Sequence, residues 1–234
     1  MMKVLRSQDR GHANHGWLDS YHTFSFADYF DPQRMGFGSL RVINEDRIEG
    51  GAGFPLHPHR DMEIVTYMVE GSLAHRDTLG NEEAIGPGEL QRMTAGTGIR
   101  HSEFNASKTQ PAHLLQIWIL PEREDLEPGY EQKSFAEALE KSSLVLAASR
   151  EGRDGSLKIH QDLDLWMSRP KAGERQDFPL RPGRAAWVQV VRGQVKVADQ
   201  ELRAGDALAL VGEERLSLSA QENAEMLIFD LSAK

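Results

Sequence analysis

The 234-residue chain contains no cysteine, no long apolar run and no excess of basic residues. The lack of cysteine excludes disulfide bonds and thiolate metal ligands. No run of apolar residues approaches the roughly 20 that a membrane-spanning helix requires, so we expect no membrane insertion. The chain has 36 acidic and 27 basic residues, a formal net charge of −9. This balance disfavours nucleic-acid binding, because a polyphosphate partner selects a basic surface.

Two further signals are absent. The first residues, MMKVLRSQDRGHANHG, lack the apolar segment of a secretory signal peptide, so we expect a cytoplasmic protein. The turn Gly96-Thr97-Gly98 lacks the GxxxxGKS or GxxxxGKT pattern of a phosphate-binding loop. The remaining composition, 39% hydrophobic and 27% charged, is typical of a globular protein.

Short strands and glycine turns fill the first half of the chain. Strands are predicted over 40–43, 63–69, 73–76 and 114–119, where β-branched or aromatic residues are bounded by turn residues. The turns are closely spaced and no helical periodicity separates the strands. This pattern favours a barrel or jelly roll over βαβ units.

The pattern changes after residue 120. Residues 121–130 are charged and contain proline and glycine, and Ser134 begins a capping-box pattern that predicts a short helix to about Lys141. Strand-like sequence returns after Gly155. We therefore predict three segments: an N-terminal domain over 1–120, a linker with a short helix over 121–152, and a C-terminal domain over 153–234.

The two predicted domains resemble each other as a diverged repeat. Gly71 and Gly193 each separate two strands, and a glycine-acid turn follows in each half, at Gly88 and Gly205. We compared the positions of the first half's histidines and acids with those at the same sequence distance from the glycines of the second half. The second half has residues there that do not bind metal: Pro179, Arg181, Ala185, Leu218 and Ala220. We therefore predict that only the N-terminal domain binds metal.

Two short motifs carry the chemistry, His57-Pro58-His59 and His101-Ser102-Glu103. Each pair has the i, i+2 spacing that places both side chains on one face of a strand. Inside a β-barrel, the four side chains would converge on one point. Imidazole and carboxylate ligands suit iron, copper, nickel, manganese or zinc, and four such ligands leave coordination positions open. A single HxH pair occurs by chance in strands, but two pairs in one barrel favour a metal site.

Four ordered segments resemble the pirin family, whose members are bicupins: RGHANHGWLDSYHTFSFADYFDP, MGFGSLRVINED, HPHRDMEIVTYMVEG and AGTGIRHSEFN. The spacing from Gly51 through His57, His59 and Glu63 to Gly71 also resembles the first cupin motif, with one extra residue before the last glycine. The resemblance is strong over residues 10–120 and weaker beyond. It implies an all-β chain of two tandem cupin barrels (jelly-roll, double-stranded β-helix).

The resemblance also implies one divalent metal ion, most often iron(II), in the N-terminal cupin. Copper, nickel, cobalt, manganese and zinc remain compatible with the same ligands. Carried over by position, the ligands are His57, His59, His101 and Glu103. Many cupins instead use the carboxylate that corresponds to Glu63. We favour Glu103, which makes Glu63 either a residue that holds the N–H of a ligand histidine or a member of a cross-strand ion pair.

The function implied is a dioxygenase that opens a flavonol such as quercetin with O2, with Glu103 as the general base. The alternative implied by the family is a regulatory protein that binds a protein partner according to the oxidation state of its metal. Isomerase or other small-molecule cupin chemistry is a third interpretation.

The remaining histidines and aromatic residues have simpler interpretations. His75 and His113 lie on or beside predicted strands without a partner motif, so we interpret both as structural. The aromatic stretch over 12–30 could line an aromatic substrate pocket, but we favour ordinary core packing, because dense aromatic residues usually indicate burial.

Overall fold

The computed structural model describes residues 1–233, and β-strands dominate this range. The prediction of a nearly all-β chain with a short helix is confirmed. The first twelve strands are β1 (Met2–Leu5), β2 (Gly11–Asn14), β3 (Leu18–His22), β4 (Leu40–Ile48), β5 (Gly53–His59), β6 (Glu63–Glu70), β7 (Leu73–Asp77), β8 (Glu82–Ile85), β9 (Glu89–Thr94), β10 (Ile99–Asn105), β11 (Ala112–Ile119) and β12 (Gly129–Ser134). The helix α1 (Ala136–Lys141) follows, and then β13 (Leu144–Ser149), β14 (Leu157–Lys158), β15 (Leu163–Ser168), β16 (Arg175–Pro179), β17 (Arg184–Arg192), β18 (Gln194–Val197), β19 (Gln200–Arg203), β20 (Ala207–Val211), β21 (Arg215–Ala220) and β22 (Glu225–Ser232).

The chain forms two compact units. The N-terminal unit comprises residues 11–135 together with 159–161. It has a seven-stranded sheet in the order β12-β9-β6-β11-β4-β3-β2 and a four-stranded sheet in the order β5-β10-β7-β8. Apolar side chains from both sheets form clusters that include one around Met68 and one around Ile64. Thr66 lies between them on the same face of β6, because side chains alternate along a strand.

The C-terminal unit comprises residues 1–10, 136–158 and 162–234. Its seven-stranded sheet has the order β1-β20-β17-β22-β15-β13-β14, and its four-stranded sheet has the order β16-β21-β18-β19. All these pairs are antiparallel except β13 with β14. An apolar cluster in this unit includes Val188, Leu208, Leu216 and Ile228.

These units differ from the predicted segments because two edge strands pair with sequence-distant partners. Strand β1 pairs with β20, so the first residues of the chain belong to the C-terminal unit. Strand β12, inside the predicted linker, pairs with β9 of the N-terminal unit. Strand β13, also inside that linker, belongs to the C-terminal sheet. No helix in residues 1–233 combines the length and apolar character that crossing a membrane requires.

Candidate metal centre

The two predicted motifs lie on neighbouring strands, β5 and β10. These strands pair antiparallel, and His57 lies directly opposite His101. The register then shifts, so that Glu103 lies opposite Phe54. The extra residue of this irregularity is on β5, beside Pro55, which has no N–H to donate to the partner strand. The pairing brings the three histidines to one end of the four-stranded sheet.

The imidazole rings of His57, His59 and His101 converge. Their ring centroids are 4.4–4.9 Å apart, and one ring nitrogen from each lies within 4.8 Å of the others. The Nδ1 atom of His57 donates a hydrogen bond to the carbonyl oxygen of Pro55 at 2.8 Å, which directs Nε2 away from that carbonyl. The Nε2 atoms of His59 and His101 are buried and have no hydrogen-bond partner in the described chain.

Buried polar nitrogens without partners are costly, and metal coordination would satisfy them. Burial, reinforced by His57, lowers the pKa of His59 to about 4. Burial, and to a smaller extent the neighbouring histidines, lowers the pKa of His101 to about 2. Both imidazoles are therefore neutral near pH 7, which is the form that binds a metal ion. The donor set fits a transition-metal ion.

Glu103 is not grouped with His57 and His59, and it contacts the histidine cluster on the side of His101. Its carboxylate is buried, with 1% of the residue exposed, and forms a second group within 4.8 Å with His75 and His101. Gln116 Nε2 donates to Glu103 Oε2 at 2.8 Å, and the hydroxyl of Thr66 lies 3.4 Å from Oε1. Burial raises the pKa of Glu103, and the hydrogen bond from Gln116 opposes that shift.

His75 contacts the cluster, which its interpretation as a merely structural residue did not anticipate. Its Nδ1 lies 3.4 Å from Nδ1 of His101, and its Nε2 lies 3.1 Å from Oδ2 of Asp77. One proton arrangement is consistent with these contacts, and in it His75 Nδ1 is an acceptor that also faces Nε2 of Gln91 at 3.3 Å. Asp77 accepts a hydrogen bond from Nε2–H of His75. Nδ1 of His75 in turn accepts one from Nδ1–H of His101, so that Nε2 of His101 is left to bind metal. The spacing His75-x-Asp77 is the same i, i+2 signal as in the two motifs.

Glu63 lies outside this cluster. The residue is fully buried on β6, but strand alternation directs its side chain to the face opposite Thr66. Its Oε1 lies 3.2 Å from Nδ1 of His160, and its Oε2 accepts from the backbone N–H of His160 at 3.4 Å. The expectation that Glu63 holds a candidate ligand histidine is therefore wrong. Its partner is His160, and β6 and β10 belong to different sheets of the unit.

A cavity of about 600 Å3 lies beside the cluster, and none of the three clustered histidines lines it. Two of its lining residues contact the cluster: the ring of Phe54 lies 6.4 Å from that of His57, and Gln116 donates to Glu103. Its apolar wall includes Trp17, Phe26 and Phe54. Phe26 packs edge-on against Trp118, which packs in the same way against His59. The interpretation of the aromatic stretch as ordinary core packing is thus incomplete, because several of its members line this cavity. The space has the size typical of small-molecule sites.

A row of polar side chains crosses the inner face of the seven-stranded sheet. Each member is the register partner of the next on the neighbouring strand, and the row consists of His22, Asn44, Gln116, Thr66, Gln91 and Gln132. We call it the polar row. Gln116 and Thr66 contact Glu103, and the Nε2 of Gln91 lies 3.3 Å from Nδ1 of His75. At the other end, His22 and Asn44 line the cavity. The row therefore joins the metal cluster to the cavity.

Comparison with known proteins places this arrangement in a family. The family model for pirin matches residues 4–119, and the model described as the quercetinase C-terminal cupin domain matches residues 146–231. The chain is 49% identical over 231 residues to a protein named quercetin 2,3-dioxygenase from Escherichia coli K12, covering 99% of each.

Solved structures agree. A bacterial pirin from Escherichia coli in complex with nickel(II) has a TM-score of 0.95 and 47% identity, with 100% of both chains covered. A quercetin 2,3-dioxygenase from Acinetobacter baumannii, 21% identical with 99% of this chain and 86% of that chain covered, shares the fold with a TM-score of 0.81. Together with the family models, these structures confirm two tandem cupin domains, and the nickel complex supports a metal site at the histidine cluster. The chain belongs to the pirin family.

Proposed function

We propose that the chain is a metal-dependent dioxygenase that opens a flavonol such as quercetin with O2. One observation carries the proposal: three imidazoles, two of them with unsatisfied buried nitrogens, converge beside an aromatic-lined cavity. The similarity to a named quercetin 2,3-dioxygenase supports the choice of substrate. The cavity volume of about 600 Å3 is in the range of sites that enclose a molecule of flavonol size.

The proposed metal ligands are His57, His59, His101 and Glu103, and the proposed ion is iron(II). Three imidazoles and one carboxylate suit iron, and equally allow copper, nickel, cobalt, manganese or zinc. The three histidines form one group within 4.8 Å, whereas Glu103 is grouped with His101 and His75 and not with His57 or His59, so His101 is the residue that links Glu103 to the proposed centre. When bound, the ion supplies Lewis-acid stabilisation of the flavonol enolate.

Glu103 is the proposed general base. It takes the proton of the flavonol 3-hydroxyl group, and its pKa, raised by burial, makes the carboxylate a stronger base. Gln116 holds Oε2 by donating to it, which leaves Oε1 the less restrained oxygen for that proton. The aromatic wall binds the rings and excludes water. The ring then opens, both oxygen atoms of O2 enter the ester product, and one ring carbon leaves as carbon monoxide.

The test is turnover by protein loaded separately with iron, copper, manganese, cobalt, nickel or zinc. Loss of the flavonol absorbance and release of carbon monoxide are measured together, under O2 and under nitrogen. We expect at least one metal to support both signals, and Glu103→Gln to lose them while retaining the fold. No turnover with any of these metals would refute the proposal for this substrate. Capture of a stable protein partner in one oxidation state, without turnover, would favour the regulatory alternative.

A further inference from the structure

The cavity end of the polar row has a buried acceptor that the protein itself does not satisfy. Asn44 is 3% exposed and lines the cavity. Its Oδ1 is buried and has no hydrogen-bond partner in the described chain. By contrast, Gln116 and Gln91 of the same row donate toward Glu103 and His75. An unsatisfied buried amide oxygen is costly, so its position on a cavity wall indicates a ligand that donates a hydrogen bond.

A second oxygen acceptor lies two residues along the same strand. Asp46 is buried, lines the same cavity, and accepts a hydrogen bond from Ser20 Oγ at 2.5 Å. The same hydroxyl lies 2.9 Å from Nε2 of His22. Burial raises the pKa of Asp46 to about 7, with the Ser20 hydrogen bond opposing the shift. Asn44 and Asp46 share one face of β4, because their spacing is i, i+2.

The rest of the cavity wall is aromatic. Trp17, Phe26, Tyr29 and Phe54 line it, and such faces pack against flat rings. A ligand suited to both parts of the wall has an aromatic ring that bears hydroxyl donors. A ligand without a hydroxyl or N–H donor would leave the amide oxygen of Asn44 unsatisfied.

We propose that Asn44 and Asp46 form a recognition subsite for the hydroxyl groups of an aromatic substrate ring, separate from the 3-hydroxyl group whose proton Glu103 takes. This inference rests on the proposed function and deepens it, because it names which part of a flavonol the cavity selects. Asn44 is a specificity residue in this account, and it takes no part in the proton transfer to Glu103.

The experiment compares two flavonols under nitrogen with metal-loaded protein. Quercetin bears hydroxyl groups on both outer rings, whereas 3-hydroxyflavone has only the reacting hydroxyl group. Dissociation constants are measured by fluorescence quenching for the wild type and for Asn44→Leu, which removes the acceptor at similar volume. We expect Asn44→Leu to weaken quercetin binding by at least about fivefold, the effect of one buried hydrogen bond, and to leave 3-hydroxyflavone binding unchanged.

Two control variants define the result. Gln132→Leu makes a similar change on the polar row outside the cavity lining, so the ratio of the two dissociation constants should stay at the wild-type value. Asn44→Thr keeps an acceptor oxygen and should retain more selectivity for quercetin than Asn44→Leu. Metal content and the near-ultraviolet circular dichroism spectrum are measured for each variant, so that loss of metal or of fold is recognised.

The outcomes separate this inference from the proposed function. An equal loss of affinity for both flavonols, or no loss for quercetin, would overturn the subsite even if quercetin is turned over. Selectivity that depends on Asn44 without turnover by any metal would support the subsite and contradict the dioxygenase. Failure of the wild type to bind quercetin would overturn both.

Discussion

The two β-barrels of this chain share the order of their central strands and differ in the chemistry of their interiors. The turn glycines Gly71 and Gly193 both have positive φ, 74° and 78°. A Cβ at Gly71 would lie 2.9 Å from the carbonyl oxygen of Pro111, and one at Gly193 would lie 2.5 Å from that of Asn223. Thr66 lies five residues before Gly71 and Val188 lies five residues before Gly193, so these two residues occupy corresponding positions in the two units. From these anchors, the polar row corresponds strand by strand to an apolar row in the C-terminal unit: Leu146, Trp166, Ile228, Val188, Leu208 and Val4.

The candidate metal ligands have apolar counterparts as well. The pair His57 and His101 corresponds to Phe178 and Leu216, and the pair Glu103 and His75 corresponds to Leu218 and Val197, matched by strand register. Offsets counted from the glycines alone had placed these counterparts one or two positions too late. The connection between β16 and β17 is longer than that between β5 and β6, and the connection between β20 and β21 is shorter than that between β9 and β10, so simple counting loses the register.

The comparison indicates that the barrel itself does not need a polar interior. The C-terminal unit fills the same positions with apolar side chains, most of which belong to one cluster or pack against it. In the N-terminal unit, the polar row and the histidines interrupt the apolar packing, at a cost that only hydrogen bonding or ligand binding offsets. Polar interiors of this kind are expected where function requires them.

The largest loss of metal affinity should follow when His101 of the N-terminal unit is replaced by the residue found at the corresponding position of the C-terminal unit. His101→Leu copies Leu216 and removes the imidazole shared by both ligating groups. We expect metal affinity to fall by at least about 100-fold, more than changes in residues that only support ligands, with turnover lost. Metal analysis after dialysis measures the loss, and urea unfolding of the metal-free protein should show stability retained or raised. Unchanged metal content would refute the ligand assignment.

The reverse substitution tests whether the C-terminal interior tolerates polarity. Leu216→His places an imidazole in a fully buried apolar cluster. We expect the free energy of unfolding to fall by about 2–5 kcal/mol, because the ring has no hydrogen-bond partner there. Urea unfolding measures the change, with Leu216→Met as the volume-matched control. A loss no greater than that of Leu216→Met would contradict the contrast between the two interiors.

An intermediate effect is expected at Asp77, which supports the candidate ligands through His75. Asp77→Asn removes the charge that orients the chain Asp77–His75–His101. We expect metal affinity to fall by about tenfold, as for other residues that orient a ligand histidine. Asn81→Ala is the control, because Asn81 donates to the same carboxylate from the loop side and does not contact His75. If both variants lowered metal affinity equally, Asp77 would act only by holding the loop that carries Asn81, and its contact with His75 would not support the metal ligands.

Part of this arrangement was predictable from sequence, and the reason is periodicity. The pairs His57/His59 and His101/Glu103 have the two-residue repeat of a strand, so their convergence could be predicted once a barrel was expected. The contact of His75 with His101 depends on which strands become neighbours, which local sequence does not specify. The polar row is harder still, since its members come from six strands and align only through register. The pairing of β1 with β20 is equally non-local.

The smallest effect is expected within the polar row, at Thr66. Thr66→Val copies its counterpart Val188 and preserves side-chain shape while removing the hydroxyl. That hydroxyl lies 3.4 Å from Oε1 of Glu103, a long contact, whereas Gln116 donates to Oε2 at 2.8 Å and remains in the variant. We therefore expect a change in unfolding free energy within about 1 kcal/mol and a loss of metal affinity smaller than that of Asp77→Asn. Metal titration of both variants ranks the two contributions. A larger loss in Thr66→Val would mean that Glu103, rather than the histidine chain, is the more sensitive part of the centre.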